Sequence, residues 1–397
     1  MRVPRFEPFA ALRYSPSLPL DLVAAPPYDV LSNADVDELL ARHDRNIVAV
    51  DVPREIDGAQ RYDAAADRLA QWVADGTMVL DSTPTFTLYR MEFADEAGMH
   101  RETVGVVGAL EVVDEGADGV LPHERTTPKA KTDRLDLTRA TNTNLSPVWG
   151  LSLTAGLTQL LLEPGEPVGQ CLDEHGVLHT VERVSEPSRI AAIAAAVSSH
   201  PVLIADGHHR YAISRMFRDQ VRSARGAGTA AELTLTYVAE LDDEQLSIDA
   251  IHRLYHGIDT NDLQAVLADS FDIEEAGPVT PDFAAQVVQR GALCLVRPDG
   301  SGAWLTPRAE VFADVRALDG AYLEHALRTH DLDVSYQHGI QEVLHRLREG
   351  SASAAVIIRP TSIVEIRRTA DERLLMPPKS TFFTPKLRTG LVLRPLD

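Results

Sequence analysis

A mixed α/β (α+β) fold is predicted by two patterns in this sequence. Short runs rich in Val, Leu, Ile and Thr, bounded by Gly, Pro or Asp, read as strands, and segments of helical apolar spacing are interspersed among them. The order does not follow the strict strand–helix–strand rhythm that forces a doubly wound parallel sheet. Composition bounds the answer further: 44% hydrophobic and 24% charged residues, with 24 Gly and 24 Pro, are ordinary globular values and exclude a disordered, collagen-like or fibrous chain. In chain order, helical spacing appears at Val36 to His43, Tyr62 to Val73, Ile190 to Val197, Tyr211 to Val221 and Tyr322 to Leu327. Strand-like runs lie at Thr85 to Phe93, Thr103 to Val113, Val202 to Ala205, Leu233 to Leu241, Ala292 to Val296 and Ala354 to Ile358. Glu163 to Gln170, with its Pro-Gly-Glu-Pro run, and Arg225 to Ala231 read as surface loops. At 397 residues the chain suits two regions, 1–165 and 166–397, or one enlarged domain.

The balance of 38 basic against 59 acidic residues gives a net charge of −21, which argues against a partner gripped by a broad basic face, duplex nucleic acid above all. No stretch approaches the roughly 18 apolar residues of a membrane span and no signal-type run opens the chain, so no membrane partner and a cytoplasmic location are expected. Cys171 and Cys294 lie far apart without ligand spacing, so neither a disulfide framework nor a zinc site is indicated. Only four of the basic residues are lysines: Lys129, Lys131, Lys379 and Lys386. In a chain that otherwise writes positive charge as Arg, each marks a place where a compact, mobile ammonium serves better than a planar fork. They fall in two short Pro- and Thr-bearing loops, which fits a polyanion site assembled from both.

The sharpest local feature is Val202 to Tyr211, a buried-type strand that runs into Asp206-Gly207-His208-His209-Arg210 before a helical pattern starting at about Tyr211. Asp206 suits a helix cap or the turn before it, and Gly207 permits tight backbone geometry. Free amides at a helix start, the helix dipole and a bidentate guanidinium together make an anion site, most naturally for phosphate. A second cluster, Leu121 to Arg134, offers His123, Glu124, Lys129, Lys131, Asp133 and Arg134 within a dozen or so residues. Glu124 can take a proton from an attacking hydroxyl while Lys and Arg neutralise a transferring phosphoryl group. Asp133, Asp136 and Asp206 are carboxylates of the kind Mg²⁺ prefers alongside phosphate oxygens. A solvated charged loop is the bland alternative for this run. Tyr28 and Asp29 after Pro26-Pro27, Asn144 in an amide-rich stretch, and His252 beside Arg253 are weaker candidates for substrate contact. His43, His100, His175 and His179 lie in unpatterned context and read as surface residues. No Walker A, dinucleotide-binding glycine, Gly-x-Ser-x-Gly or His-Glu-x-x-His pattern occurs, which leaves those chemistries unsupported.

With these motifs in order, from Pro8-Phe9 and Ala25 to Val30 through Leu121-Pro122-His123-Glu124 and Ala205 to Tyr211 to the closing Met376 to Val392 run, the chain resembles the domain-of-unknown-function 1015 family. More distantly, Asp206 to Arg210 followed by a helix is similar to the phosphate-binding box of the ParB and sulfiredoxin superfamily, some members of which phosphorylate free serine. The resemblance implies a ParB/sulfiredoxin-like phosphate-binding core elaborated with additional mixed-sheet elements. It implies that Gly207, His208, His209 and Arg210 hold phosphate, that Lys129, Lys379 and Lys386 grip the donor, and that Glu124 is the base; on the residues alone, Arg134 is added to the donor site and His123 and His209 to catalysis. Tyr28, Asp29, Asn144 and His252 would meet the substrate, and Asp133 and Asp206 would hold Mg²⁺. The function expected is a phosphotransferase of the free-serine-kinase type with a nucleotide or pyrophosphate donor, a small hydroxylated metabolite as acceptor, Mg²⁺ and no tightly bound organic cofactor. A nucleotide-binding regulator without catalysis and a phosphatase or hydrolase of phosphorylated metabolites stay open, as does a homodimer.

Overall fold

The strand-like runs become sheet wherever their side chains can be buried on both sides of a ladder. In the computed structural model, which describes residues 2–54, 58, 60–95, 98–124 and 132–397, the chain divides into two compact units. One comprises residues 1–247 with 385–397, the other 248–384. The division does not fall at 165/166, because Glu166–Leu172 pairs with Leu178–Val184, which in turn pairs with Phe86–Ala94, so that position lies inside one continuous sheet.

The first unit is built on a mixed nine-stranded sheet. Its order runs Val120–Pro122, Val202–Asp206, Val148–Ser152, Leu233–Glu240, His100–Glu111, Phe86–Ala94, Leu178–Val184 and Glu166–Leu172, with Phe6–Glu7 added beside His100–Glu111. Two pairings are parallel, Val202–Asp206 with Val120–Pro122 and Leu233–Glu240 with Val148–Ser152. The others are antiparallel, as the missing strand–helix–strand rhythm implied. Phe6, Phe86, Val106, Val202 and Val238 pack with Ile193 and Val197 of the helix Pro187–Val197, while Trp72, Leu69 and Ile47 centre a second cluster under the N-terminal helices. Strand glycines are used for close packing: a Cβ on Gly105 would come within 2.3 Å of the Tyr237 ring. The segment 385–397 returns to this unit, where Arg394 pairs with Asn144 and Leu393 bridges Leu12.

The second unit carries a six-stranded antiparallel sheet in the order Phe271–Pro278, Ser301–Pro307, Leu293–Val296, Ala354–Ile357, Ile251–His256 and Asp333–His338. Strict alternation explains its two cores: Leu293 and Leu295 enter one cluster with Phe271 and Leu305, while Cys294 and Val296 enter the other with Phe283 and Trp304.

The helices and strands expected from periodicity are all present, with ends shifted by a few residues. Two expectations are corrected. Glu163 to Gln170 is not a loop throughout: Glu166–Leu172 is an edge strand, mostly exposed, and an edge tolerates Pro167, whose missing N–H need not pair. His179 is not a surface residue but fully buried, its ring nitrogens meeting the Tyr89 hydroxyl at 2.9 Å and Asp173 at 3.1 Å. Cys171 and Cys294 are free and buried, and burial pushes both thiols up to about 12. No helix among the described residues is long and apolar enough to cross a membrane.

Candidate functional site

The site of interest grows from one turn of the first unit. Strand Val202–Asp206 is paired on both sides, and its register with Val148–Ser152 shifts between Ile204 and Asp206. Gly207 follows with φ +84° and ψ 27°, a left-handed conformation that L side chains pay about 1–2 kcal/mol to adopt. Space demands glycine too, since a Cβ there would lie 2.9 Å from Arg210 Nε. The 18-residue helix His208–Arg225 starts directly, three residues earlier than its apolar spacing suggested, with Gly207 as its N-cap. Gly207 brings no side chain of its own to cap it, and its first backbone bond runs from the Tyr211 amide to the Gly207 carbonyl at 2.9 Å. The turn therefore presents amide donors and the positive end of the dipole at one point.

Charged side chains are fixed around that point. Arg210 donates through Nη2 to Asp206 Oδ2 at 2.5 Å and through Nη1 to the Pro147 carbonyl. Lys386 Nζ lies 3.3 Å from Asp206 Oδ1. Burial by itself would raise the Asp206 carboxyl, but Lys386 and Arg210 more than reverse this and hold it well below the usual carboxylate range. Behind the turn His123, fully buried, has Nδ1 2.5 Å from the Ile204 carbonyl, and its ring centre lies 4.9 Å from that of His208. His208 Nε2 is buried and has no hydrogen-bond partner among the described residues. Glu124 Oε2 stands 3.9 Å from His123 Nε2.

Beside the helix a crevice of about 50 Å³ is lined by Tyr28, Asp51, Arg134, Asn144, Arg210 and Ser214, among others. The Arg134 guanidinium lies 3.8 Å over the Tyr28 ring and donates to the Asp51 carboxylate at 3.2 Å and to its carbonyl at 2.5 Å. Asp51 is buried, and burial raises its carboxyl. Tyr28 and Asp29 reach this place through a short turn after Pro26-Pro27, Asp29 being exposed. Asn144 Oδ1 accepts from the Leu235 amide at 3.1 Å, so it secures the sheet as well as the crevice.

The structure thus brings together Asp206, Gly207, His208, Arg210 and Lys386, with His209 in the same helical turn, and joins Tyr28, Arg134 and Asn144 to them through Arg210. Lys129 and Lys131 lie outside the described residues. Lys379 and His252 belong to the second unit, where the Lys379 carbonyl accepts from Arg253 and His252 Nδ1 accepts from the Ile358 amide at 3.3 Å. Asp133 accepts from the Tyr62 hydroxyl at 2.6 Å and from Arg61 at 3.3 Å. The residues expected to hold Mg²⁺ do not fit a resident ion: both Asp206 oxygens face cations, Asp133 sits between two arginines, and no metal-type cluster of three or more His, Cys, Asp or Glu occurs among the described residues. Sequence reasoning missed Asp51, whose carboxylate ends an apolar run and carries no local mark, and the contact between Lys386 and Asp206, which joins distant segments.

The two packed histidines give this region a pH signature. Burial pushes His123 down to about 4, and burial followed by the neighbouring His123 pushes His208 down to about 3, both from 6.5. Their depressed values mean that the unfolded chain takes up protons first. Their contribution is complete above about pH 6.5 and is lost as pH falls, ending near 4 for His123 and 3 for His208. Each adds at most about 1.4 kcal/mol per pH unit over that window. Calorimetric melting between about pH 7 and pH 5 should show a falling Tm in the wild type and a shallower fall in His208→Gln; an equal slope contradicts the assignment.

The family model described as "Protein of unknown function (DUF1015)" matches residues 6–325. No curated protein matches the chain. Among solved structures, a conserved hypothetical protein from Pyrococcus furiosus is 13% identical with a TM-score of 0.37, covering 68% of this chain and 92% of that one. A free serine kinase in complex with AMP is 14% identical with a TM-score of 0.37, covering 68% of this chain and 88% of that one. SbnI with a C-terminal truncation, from Staphylococcus aureus, is 13% identical with a TM-score of 0.40, covering 73% and 87%.

Proposed function

This chain belongs to the protein family of unknown function DUF1015, and from that premise we propose that it is a phosphotransferase acting on a small hydroxylated metabolite, of the free-serine-kinase type, with a nucleotide or pyrophosphate as donor. The observation that carries this is the start of helix His208–Arg225 on a left-handed Gly207, with the Arg210 and Lys386 cations held beside it by Asp206. In the reading proposed, this turn is a ParB/sulfiredoxin-like phosphate-binding core, and the enzyme works in the cytoplasm. The amides of the first turn and Lys386 hold the donor's terminal phosphate, because both are fixed in place before the ligand arrives. Arg210 is preorganised by Asp206 and the Pro147 carbonyl, so it contributes charge without being ordered on binding. Arg134 and Tyr28 line the neighbouring crevice and meet the rest of the substrates.

The transfer itself needs little covalent help from protein. The acceptor hydroxyl oxygen forms a bond to the terminal phosphorus, the bond from phosphorus to the donor's bridging oxygen breaks, and the hydroxyl proton passes to a carboxylate, Glu124 in this reading. His123 does not fit the base role, because its Nδ1 is tied to the Ile204 carbonyl and its ring is sealed from solvent; it positions Glu124 and His208. Mg²⁺ would arrive with the donor phosphates, since the residues expected to hold it do not fit a resident ion. Incubation with serine and ATP, ADP or pyrophosphate should yield phosphoserine with at least one donor, and Glu124→Gln should lower kcat about 10²-fold with little change in KM. Donors that bind without transfer would remove the enzyme reading and leave a nucleotide-binding regulator; phosphate release without phosphoserine would make it a phosphatase or hydrolase.

A further inference from the structure

Tyr89 and His179 of the first unit are fully buried, and the transfer described above uses neither. Val181 pairs with Tyr89 and His179 with Met91, so Tyr89 and His179 are diagonal neighbours on one face of the nine-stranded sheet. Asp173, just after strand Glu166–Leu172, accepts through Oδ1 from the His175 and Val177 amides at 2.9 Å, and its Oδ2 lies 3.1 Å from His179 Nε2. Burial would raise the Asp173 carboxyl, but His179 and the two amides reverse this and hold it down to about 2. Asp173 is therefore ionised and accepts the Nε2–H, which leaves the Nδ1 lone pair to accept from the Tyr89 hydroxyl at 2.9 Å. The Tyr89 oxygen in turn accepts from the Arg388 amide at 2.9 Å. From Asp173 to the Arg388 backbone, each donor meets an acceptor.

Two residues before that amide stands Lys386, whose Nζ is 3.3 Å from Asp206 Oδ1. Its backbone is irregular, and two residues of chain span at most about 7 Å, so the Arg388 amide limits where the Lys386 side chain can start. The Arg388 side chain is a weaker anchor: its Nη1 reaches Glu174 at 3.0 Å, but the Glu174 side chain is 40% exposed and water competes for the pair. At the buried Tyr89 bond, an abandoned amide has no water to replace its acceptor. Thr389 and Ala25 exchange backbone bonds at 3.1 and 2.8 Å, so the segment stays docked when Tyr89 is changed, and what loosens is the stretch that carries Lys386.

We propose that Tyr89, oriented by His179 and Asp173, is a positioning residue for the phosphate site at Gly207, an inference that rests on the reading of that turn as a phosphate site: Tyr89 fixes the Arg388 backbone and through it the Lys386 ammonium beside Asp206. Calorimetric titration of the full-length chain with pyrophosphate, run as a double-mutant cycle, is the test. Tyr89→Phe, shown to be folded by circular dichroism, is expected to weaken binding about fivefold and to have no further effect in Lys386→Met, because both changes act through one ammonium. Asp173→Asn keeps the shape but turns a donor toward Nε2, which moves the ring proton to Nδ1, where it competes with the Arg388 amide for the Tyr89 oxygen. Nitrogen NMR of the His179 ring is expected to show the Nε2–H tautomer in the wild type and the Nδ1–H tautomer in Asp173→Asn, with weaker pyrophosphate binding in the latter. Should Tyr89→Phe fail to fold, Asp173→Asn decides alone. Wild-type affinity in either folded variant, or additive losses in Tyr89→Phe, Lys386→Met, would overturn the proposal and leave the phosphate site standing. Absence of binding in the wild type would remove the phosphate site and the proposal with it.

Discussion

Replacing Gly207 by valine is expected to abolish pyrophosphate binding, weakening it by well over tenfold, and to cost about 2 kcal/mol of stability, because two independent penalties coincide at one residue. The first is conformational: a β-branched residue at φ +84° sits where its own backbone clashes. The second is steric: the new Cβ would press on Arg210 Nε at 2.9 Å, and Arg210 cannot withdraw without releasing both Asp206 and the Pro147 carbonyl. Gly207→Ala carries the same two penalties in milder form and should fall between valine and the wild type. Urea denaturation measures the stability change, and calorimetric titration with pyrophosphate measures the binding. A Gly207→Val protein that binds pyrophosphate normally would mean the turn's geometry is irrelevant to the ligand.

Arg210→Met should be the most destabilising single change at the site, costing about 3 kcal/mol, at the low end for a broken buried ion pair because Lys386 still faces Asp206. The Arg210 side chain is 11% exposed and Asp206 29%, so water cannot fully rehydrate the abandoned carboxylate. The pH dependence follows from the sign of the Asp206 shift. Its folded value is depressed below the ordinary 3.8, so its contribution is present above about pH 4 and is lost as pH falls through the lower folded value. Arg210→Met should shrink that acid-side loss, and Asp206→Asn should remove it. The double variant Asp206→Asn, Arg210→Met should be less destabilised than the sum of the two single ones, since neither member of that pair is left facing the loss of the other. Additive effects in urea denaturation would show that the pair contributes nothing as a pair.

Local features of the sequence proved readable where one physical constraint dominates. Val202 to Ala205 had to be a buried strand, and an Asp-Gly step before a helical pattern had to turn; both hold, with the helix starting at His208 because Gly207, not Asp206, is its cap. The rare lysines were informative in one case: Lys386 meets Asp206, whereas Lys379 belongs to the second unit. Nothing local distinguishes them, since both sit in the same Pro- and Thr-bearing stretch and the division between units falls between them, at 384/385. Contacts across long separations were illegible for the same reason. Asp51 shows as the last residue of an apolar run, and only the fold places Arg134 against it. His179 reads as a stray polar residue until Tyr89 and Asp173 are seen to satisfy both ring nitrogens in a buried strand. The Asp133 and Asp206 carboxylates looked like cation ligands because sequence shows the acids and not the arginines and lysine that occupy them.

Calorimetric titration of the wild-type chain and of Lys386→Met with pyrophosphate tests whether the start of helix His208–Arg225 is a phosphate site. Lys386 is the one to change because it is a fifth exposed and sits at the edge of the Asp206 pair, so its loss leaves Arg210 in place. A single saturable site is expected in the wild type, weakened about tenfold or more in Lys386→Met and weakened further as salt screens the remaining charges. Absence of binding in the wild type, or equal binding in Lys386→Met, would contradict it.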